Sequence, residues 1–139
     1  MIDGGRAFLH PIYIEDMIEA FLLCTRQAGA IGRSYNIAGS LPVTVHTLAQ
    51  TIAHAQHLTL PRKSIPLWLA RLAAATFALL PGIGGSEKAP LTHSRIDFLT
   101  HSRIYDISRA QRELGFIPTT ALDVGIHQTT AWYQAHAYL

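Results

Sequence analysis

Three runs of extended character, Phe8 to Ile14, Tyr35 to Ile37 and the "RIYDI" of Arg103 to Ile107, are each followed by a helical run, and no hairpin turn joins one to the next. This spacing limits the fold more than any other feature, because short strands that are not hairpin neighbours pair poorly and an isolated pair is marginal in water. The strands are therefore expected to find their partners outside these residues.

The change of period is sharpest in "LHPIYIEDMIEAFLLC", Leu9 to Cys24. Pro11 places the extended part at an edge or a bend. From Glu15 onward Met17, Ile18, Phe21 and Leu22 follow helical spacing, while Glu15, Asp16 and Glu19 sit where the positive end of a helix favours acids. Gly29 and Gly32 are expected to end the unit. In "PVTVHTLAQTIAHAQH" Thr44 is the expected N-cap, with Leu48, Ile52 and Ala55 inward. The most apolar segment, bounded by Pro66 and Pro81, reads as a helix too short to cross a bilayer. Beyond the glycine-rich turn "PGIGG", "LTHSRIDFLT" reads as helical. Ser108 is the expected cap of "RAQREL", which Gly115 ends in a left-handed conformation. Thr120 and Asp123 have capping-box spacing before a last helix whose Leu122, Ile126, Thr130 and Tyr133 share a face.

With 139 residues, 49% hydrophobic and 14% charged, the chain has the makings of one folded domain and is not of disordered composition. The single cysteine, Cys24, rules out an internal disulfide and points to a reducing compartment, the cytoplasm. Neither a signal-peptide core nor a spanning stretch of roughly 18 to 20 residues is present. The net charge of +2 is uneven: Arg62 to Arg112 holds eight Lys or Arg against three acids, a surface suited to an anion. Basic and aromatic residues do not interleave, so nucleic acid is not expected as a partner.

Chemistry-bearing motifs are sparse. There is no Gly-x-Ser-x-Gly, and Cys24 lies mid-helix, which sets nucleophilic hydrolysis aside. His54 and His57 form the only close histidine pair and have no adjacent carboxylate, so no metal site is assigned. "GAIGRS" and "PGIGGS" follow no strand and read as turns rather than phosphate cradles. Tyr105 with Arg109 imitates a reductase pair only in spacing, because an arginine does not poise a tyrosine as a lysine can.

Taken in order, "HPIYIEDMIEAFLLC", "GRSYNIAG", "VTVHTLAQTIA" and "RIYDISRAQRELGFIP...AWYQ" resemble the C-terminal part of extended short-chain dehydrogenases, the NAD-dependent epimerase/dehydratase family. The pattern from Asp106 to Pro118, D-x-S-x-A-x-x-x-L-G-F-x-P, is the most specific of the four. The resemblance implies an α/β fold: an incomplete C-terminal portion of a Rossmann-type architecture, mostly helices with about three short strands. Residues 1–139 would form a single substrate-binding portion, and a strand at about 35–37 would join the cofactor domain's sheet.

The family's Gly-x-x-Gly-x-x-Gly loop and Tyr-x-x-x-Lys pair do not occur here. Tyr13, Tyr35, Tyr105 and Tyr133 are followed four residues later by Met17, Gly39, Arg109 and Ala137, and Tyr138 is too near the end. The resemblance therefore implies roughly the last two-fifths of such an enzyme without its N-terminal Rossmann domain. NAD or NADP would serve the complete enzyme and no cofactor this chain alone, which is expected to be inactive by itself.

The implied substrate is a secondary alcohol or ketone, steroid-like or a sugar nucleotide. Where sugar-nucleotide epimerases often carry a diphosphate-binding arginine this chain has Leu9 and His10, and "HPIYIED" looks more like the branch with 3β-hydroxysteroid dehydrogenase-like enzymes. His10, Tyr13, Arg95 and Arg103 are the candidate substrate contacts, with Arg6 a further cation for a phosphate, and Asp16, Asp106 and Gly115 take structural roles. Partners would be the small-molecule substrate and either a separate Rossmann-domain chain or a second copy. Two other readings remain: a non-catalytic module or partner subunit that completes another chain, and a small membrane-surface helical protein that uses Pro66 to Leu80 for peripheral contact.

Overall fold

Pro11 has no amide hydrogen to extend a ladder, and the chain turns there from a short strand into its first long helix. The computed structural model describes residues 1–61, 63–79 and 92–138. Strand β1 (Phe8–Leu9) pairs antiparallel with β2 (Val43–Thr44), Phe8 opposite Thr44 and Leu9 opposite Val43. On the other side of β1 the Arg103 amide donates to the Phe8 carbonyl at 2.7 Å, and the Phe8 amide donates to Ser102 Oγ at 3.0 Å.

The helices are α1 (Ile14–Arg26), α2 (Val45–Ala55), α3 (Leu67–Leu79), α4 (His93–Thr100), α5 (Ser108–Leu114) and α6 (Leu122–Ala135). They enclose two small cores. In one, Ala20, Ala110, Leu114 and Phe116 are buried, with Ile12, Leu23, Cys24, Tyr35 and Ile37 packed around them. In the other, Ala70 and Ala74 of α3 meet Ile96 of α4, with Ile2 and Leu67 alongside. The segment "PGIGG" and Leu80 lie outside the described residues.

Several expectations change in the folded chain. Among the described residues two strands form rather than three: Tyr35–Ile37 joins no ladder, and "RIYDI" pairs with the β1 region only through single bonds. The inward face of α1 is Asp16 and Ala20, and the bulky apolar stripe is turned out, with Ile18 50%, Phe21 65% and Leu22 42% exposed. Small side chains explain this. Ala20 meets the fully buried Ala110, so α1 lies close on α5, and the same face carries the Asp16 carboxylate to its partners.

Capping differs as well. Thr44 does cap α2, its Oγ1 accepting from the Thr47 amide at 3.0 Å. Ser108 does not cap α5; the stronger acceptor two residues earlier, Asp106 Oδ1, takes the Ser108 amide at 2.9 Å. Gly115 closes α5 with φ of +71°. Thr120 and Asp123 form no capping box on α6, because the Thr120 amide is turned toward Asp16.

Candidate functional site

Three chain segments of different kinds converge beside the α6 N-terminus: the bend His10 to Tyr13 after β1, the stretch Gly39 to Val43 before β2, and the first two turns of α6 itself. They bound a cavity of about 260 Å3 whose walls include Tyr13, Leu41, Val43, Thr120, Ile126 and Thr129. Two glycines permit the convergence. A Cβ on Gly39 would strike the Pro11 carbonyl oxygen, and one on Gly125 would stand 3.1 Å from the Tyr13 ring. Gly39 also donates its amide to the Pro11 carbonyl at 3.1 Å, which ties two walls together.

His10 holds the back of this site. Its Nδ1 accepts the Tyr105 amide at 3.2 Å, so the ring proton lies on Nε2, which donates to the Gly39 carbonyl at 2.9 Å. Both ring nitrogens are thus engaged in joining three segments, and neither is free for a ligand. Beneath the opposite wall, Asp16 is 6% exposed and accepts from the Thr119 amide and hydroxyl through Oδ1, at 3.2 and 3.1 Å, and from the Thr120 amide through Oδ2 at 3.1 Å. Burial alone would raise its pKa, but the Thr119 and Thr120 amides hold the carboxyl below its ordinary value. The charge fixes the loop that leads into α6.

The residues expected from sequence divide between the two cores. Tyr13 lines the cavity, while His10 braces it from behind. The Arg103 guanidinium folds back on its own neighbourhood, donating to the Phe98 carbonyl at 2.8 Å and lying 4.7 Å over the Phe98 ring. Arg95 stands on the first turn of α4, in the other core's neighbourhood, and does not line the cavity. Leu41 and Thr129 were not signalled by any motif, while Val43 opens "VTVHTLAQTIA" and Ile126 was read only as part of a helix face; the proximity of Gly39 to "HPIY" in the fold brings them to one site.

A second polar group clasps α5 to the chain at 33–35. Glu113 accepts from Tyr35 Oη at 2.8 Å, Arg33 at 2.9 Å and Arg109 Nε at 3.2 Å, and Arg109 lies 5.2 Å over the Tyr35 ring. These bonds, the Tyr35 hydroxyl first, pull the Glu113 pKa down to about 2. Tyr35 is pushed up by its desolvation and by Glu113, which makes it a poor proton donor at neutral pH. The cluster is suited to holding position rather than to moving protons.

The family cradle of a dinucleotide is a glycine turn between a strand and a helix. Among the described residues the positive-φ glycines, Gly4, Gly5, Gly32 and Gly115, lie before β1, after α1 and after α5 instead. The cavity is also below the roughly 300–1,000 Å3 usual for a drug-sized ligand. Among the described residues no group of three His, Cys, Asp or Glu gathers as a metal site. The chemical offer of the cavity is therefore apolar wall with a few hydroxyls, fit to hold part of a small molecule in place.

No family model matches the sequence. In sequence the chain is similar to the uncharacterized protein YbjS of Escherichia coli (strain K12), 31% identical over 98% of this chain and 41% of the relative. It is also similar to 3beta-hydroxysteroid-dehydrogenase/decarboxylase isoform 1 of Arabidopsis thaliana, 28% identical over 93% of this chain and 32% of the relative. Among solved structures, UDP-glucuronic acid 4-epimerase from Bacillus cereus, in complex with NAD, superposes with a TM-score of 0.64 at 14% identity, over 98% of this chain and 34% of the epimerase. The chain thus spans about two-fifths of the first relative and a third of the others, and it corresponds to their C-terminal part.

Proposed function

We propose that this chain, which has the fold of the C-terminal part of NAD-dependent epimerases and dehydratases, is the substrate-side portion of an NAD(P)-dependent enzyme acting on a secondary alcohol or ketone. The observation that carries the reading is the cavity at the α6 N-terminus, whose lining takes Tyr13, Gly39 and Val43 from three of the segments that resemble the family. NAD or NADP would supply the hydride, from a site that the residues described here do not make. This chain's part is to bind and orient.

The cavity supports the apolar branch of the family over the sugar-nucleotide branch. Its walls offer Leu41, Val43 and Ile126 with the Thr120 and Thr129 side chains, and no arginine or lysine for a diphosphate. By the resemblance, the position where sugar-nucleotide epimerases often place that arginine falls at or next to Leu9 and His10. A hydrocarbon ring system carrying one hydroxyl or keto group is the class of ligand such walls favour.

Support for a neighbouring cofactor-holding domain comes from two unpartnered features. Tyr35–Ile37 is extended yet joins no ladder among the described residues, so it is proposed to add a strand to that domain's sheet. The outward stripe of α1, Ile14, Ile18, Phe21 and Leu22, forfeits about 25 cal/mol for each square ångström left in water.

Thermal denaturation of the chain with candidate ligands tests the substrate class. A 3-hydroxy or 3-keto steroid is expected to raise Tm, UDP to leave it unchanged, and Thr129→Phe, which fills the cavity, to abolish the steroid shift. A shift with UDP and none with the steroid would overturn the apolar assignment.

A further inference from the structure

Helix α3 is apolar round most of its circumference, interrupted only by Arg71 and Thr76, close to the pattern of a helix covered all round. Among its described side chains, Ala70 and Ala74, each 2% exposed, face α4, with Leu67 half-buried beside them. The opposite face, spaced i, i+4, i+7, holds Trp68, Leu72 and Ala75, all exposed, with Trp68 at 67% and Leu72 at 56%. Leu69, at 42%, and Ile65, at 44%, widen the same apolar surface. Three large side chains of α3, Trp68, Leu69 and Leu72, thus look outward while Ala70 and Ala74 look inward.

Charge selects what can cover this face. Arg71 lies on the outward side of α3 and Lys63 just before it, both exposed. The sequence has no Asp or Glu between Glu19 and Glu87, and the acid that the fold brings to this margin is Asp3, whose amide donates to the Ile65 carbonyl at 2.9 Å. The outward stripe of α1, by contrast, is flanked by Glu15 and Glu19. We propose that the α3 face carrying Trp68, Leu69 and Leu72, with Arg71 and Lys63 at its border, docks the chain on the anionic surface of a lipid bilayer. Tryptophan and leucine enter the boundary between headgroups and acyl chains, and the cations lay their hydrocarbon stems along it while meeting lipid phosphates. No described helix is long and apolar enough to cross the membrane, so the contact is parallel to its plane.

Flotation of the full chain with vesicles tests this. Phosphatidylcholine mixed with phosphatidylglycerol is expected to carry the protein upward at physiological salt, and phosphatidylcholine alone is not. Replacing both exposed apolar anchors, Trp68→Ser with Leu72→Ser, should lower partitioning at least tenfold, about the loss expected for removing two buried anchors. Charge reversal by Lys63→Glu with Arg71→Glu should lower it by about tenfold or more while the apolar face stays intact. The proposal is overturned by an absence of flotation, by equal flotation on neutral vesicles, or by unaltered flotation of the Trp68/Leu72 variant. It is also overturned if sedimentation shows a dimer that this variant dissolves and that excludes lipid, which would make the face a contact between two copies.

Discussion

Asp16 in the first turn of α1 and Thr120 just before α6, 104 positions apart, share a hydrogen bond of 3.1 Å in which the Thr120 amide donates to Oδ2. With the two Thr119 bonds, it makes one carboxylate the anchor between the bend that walls the cavity and the helix that faces it. An acid that first reads as a partner for its own helix's dipole thus serves a remote loop.

Asp16→Asn removes one acceptor oxygen while leaving the shape unchanged, so one of the Thr119 and Thr120 donors loses its partner. The cost should be about 1–3 kcal/mol at pH 7 in urea denaturation. Because the folded pKa lies below the ordinary value, the carboxylate's contribution is complete above about pH 4 and disappears as pH falls through the folded value. The gap between wild type and variant should therefore close on acidification.

Glu113→Gln should lower Tm at neutral pH, since Arg33 and Arg109 then lack a charged acceptor. The folded pKa of about 2 sits below the glutamate norm, so the wild-type advantage should persist from neutral pH into the ordinary glutamate range and then fade as pH drops toward 2. Added salt should shrink it, because these side chains are partly exposed.

Two glycines should respond in opposite ways to alanine. Gly39→Ala places a methyl group on the Pro11 carbonyl and should cost roughly 1–3 kcal/mol, with weaker ligand stabilisation at the cavity. Gly29→Ala meets nothing within 4 Å and should gain about 0.4–1 kcal/mol through the unfolded chain. Chemical denaturation of the pair distinguishes close approach from mere flexibility.

His10→Ala strands the Gly39 carbonyl and the Tyr105 amide, and should cost about 1–3 kcal/mol. Combined with Gly39→Ala the loss should be non-additive by about 0.5 kcal/mol or more, since both changes disturb one junction. Additive losses in a double-mutant cycle would separate the histidine from the cavity wall.

The helices and their order could be read from periodicity and punctuation, as at Thr44 and Gly115. The face that α1 buries could not, because hydrophobic spacing registers apolarity rather than size. Close packing of Ala20 on Ala110, with three donors waiting for Asp16, outweighs Phe21 and Leu22. Thr120 failed as a capping residue for a related reason: its amide is claimed by a residue far away in sequence. Tyr13 was legible as a candidate from the "HPIYIED" motif, but its cavity depends on Gly39 and Gly125, whose importance is a property of what approaches them.

The strip formed by Phe8 has Thr44 on one flank and the Ser102 hydroxyl and Arg103 amide on the other. During vectorial synthesis its second flank leaves the ribosome 94 residues after Phe8 itself, a delay on the order of 5–20 s at usual elongation rates. For that interval the first strand and helix wait half assembled with their apolar surface bare, so this chain is expected to depend on holding chaperones more than its size alone would suggest.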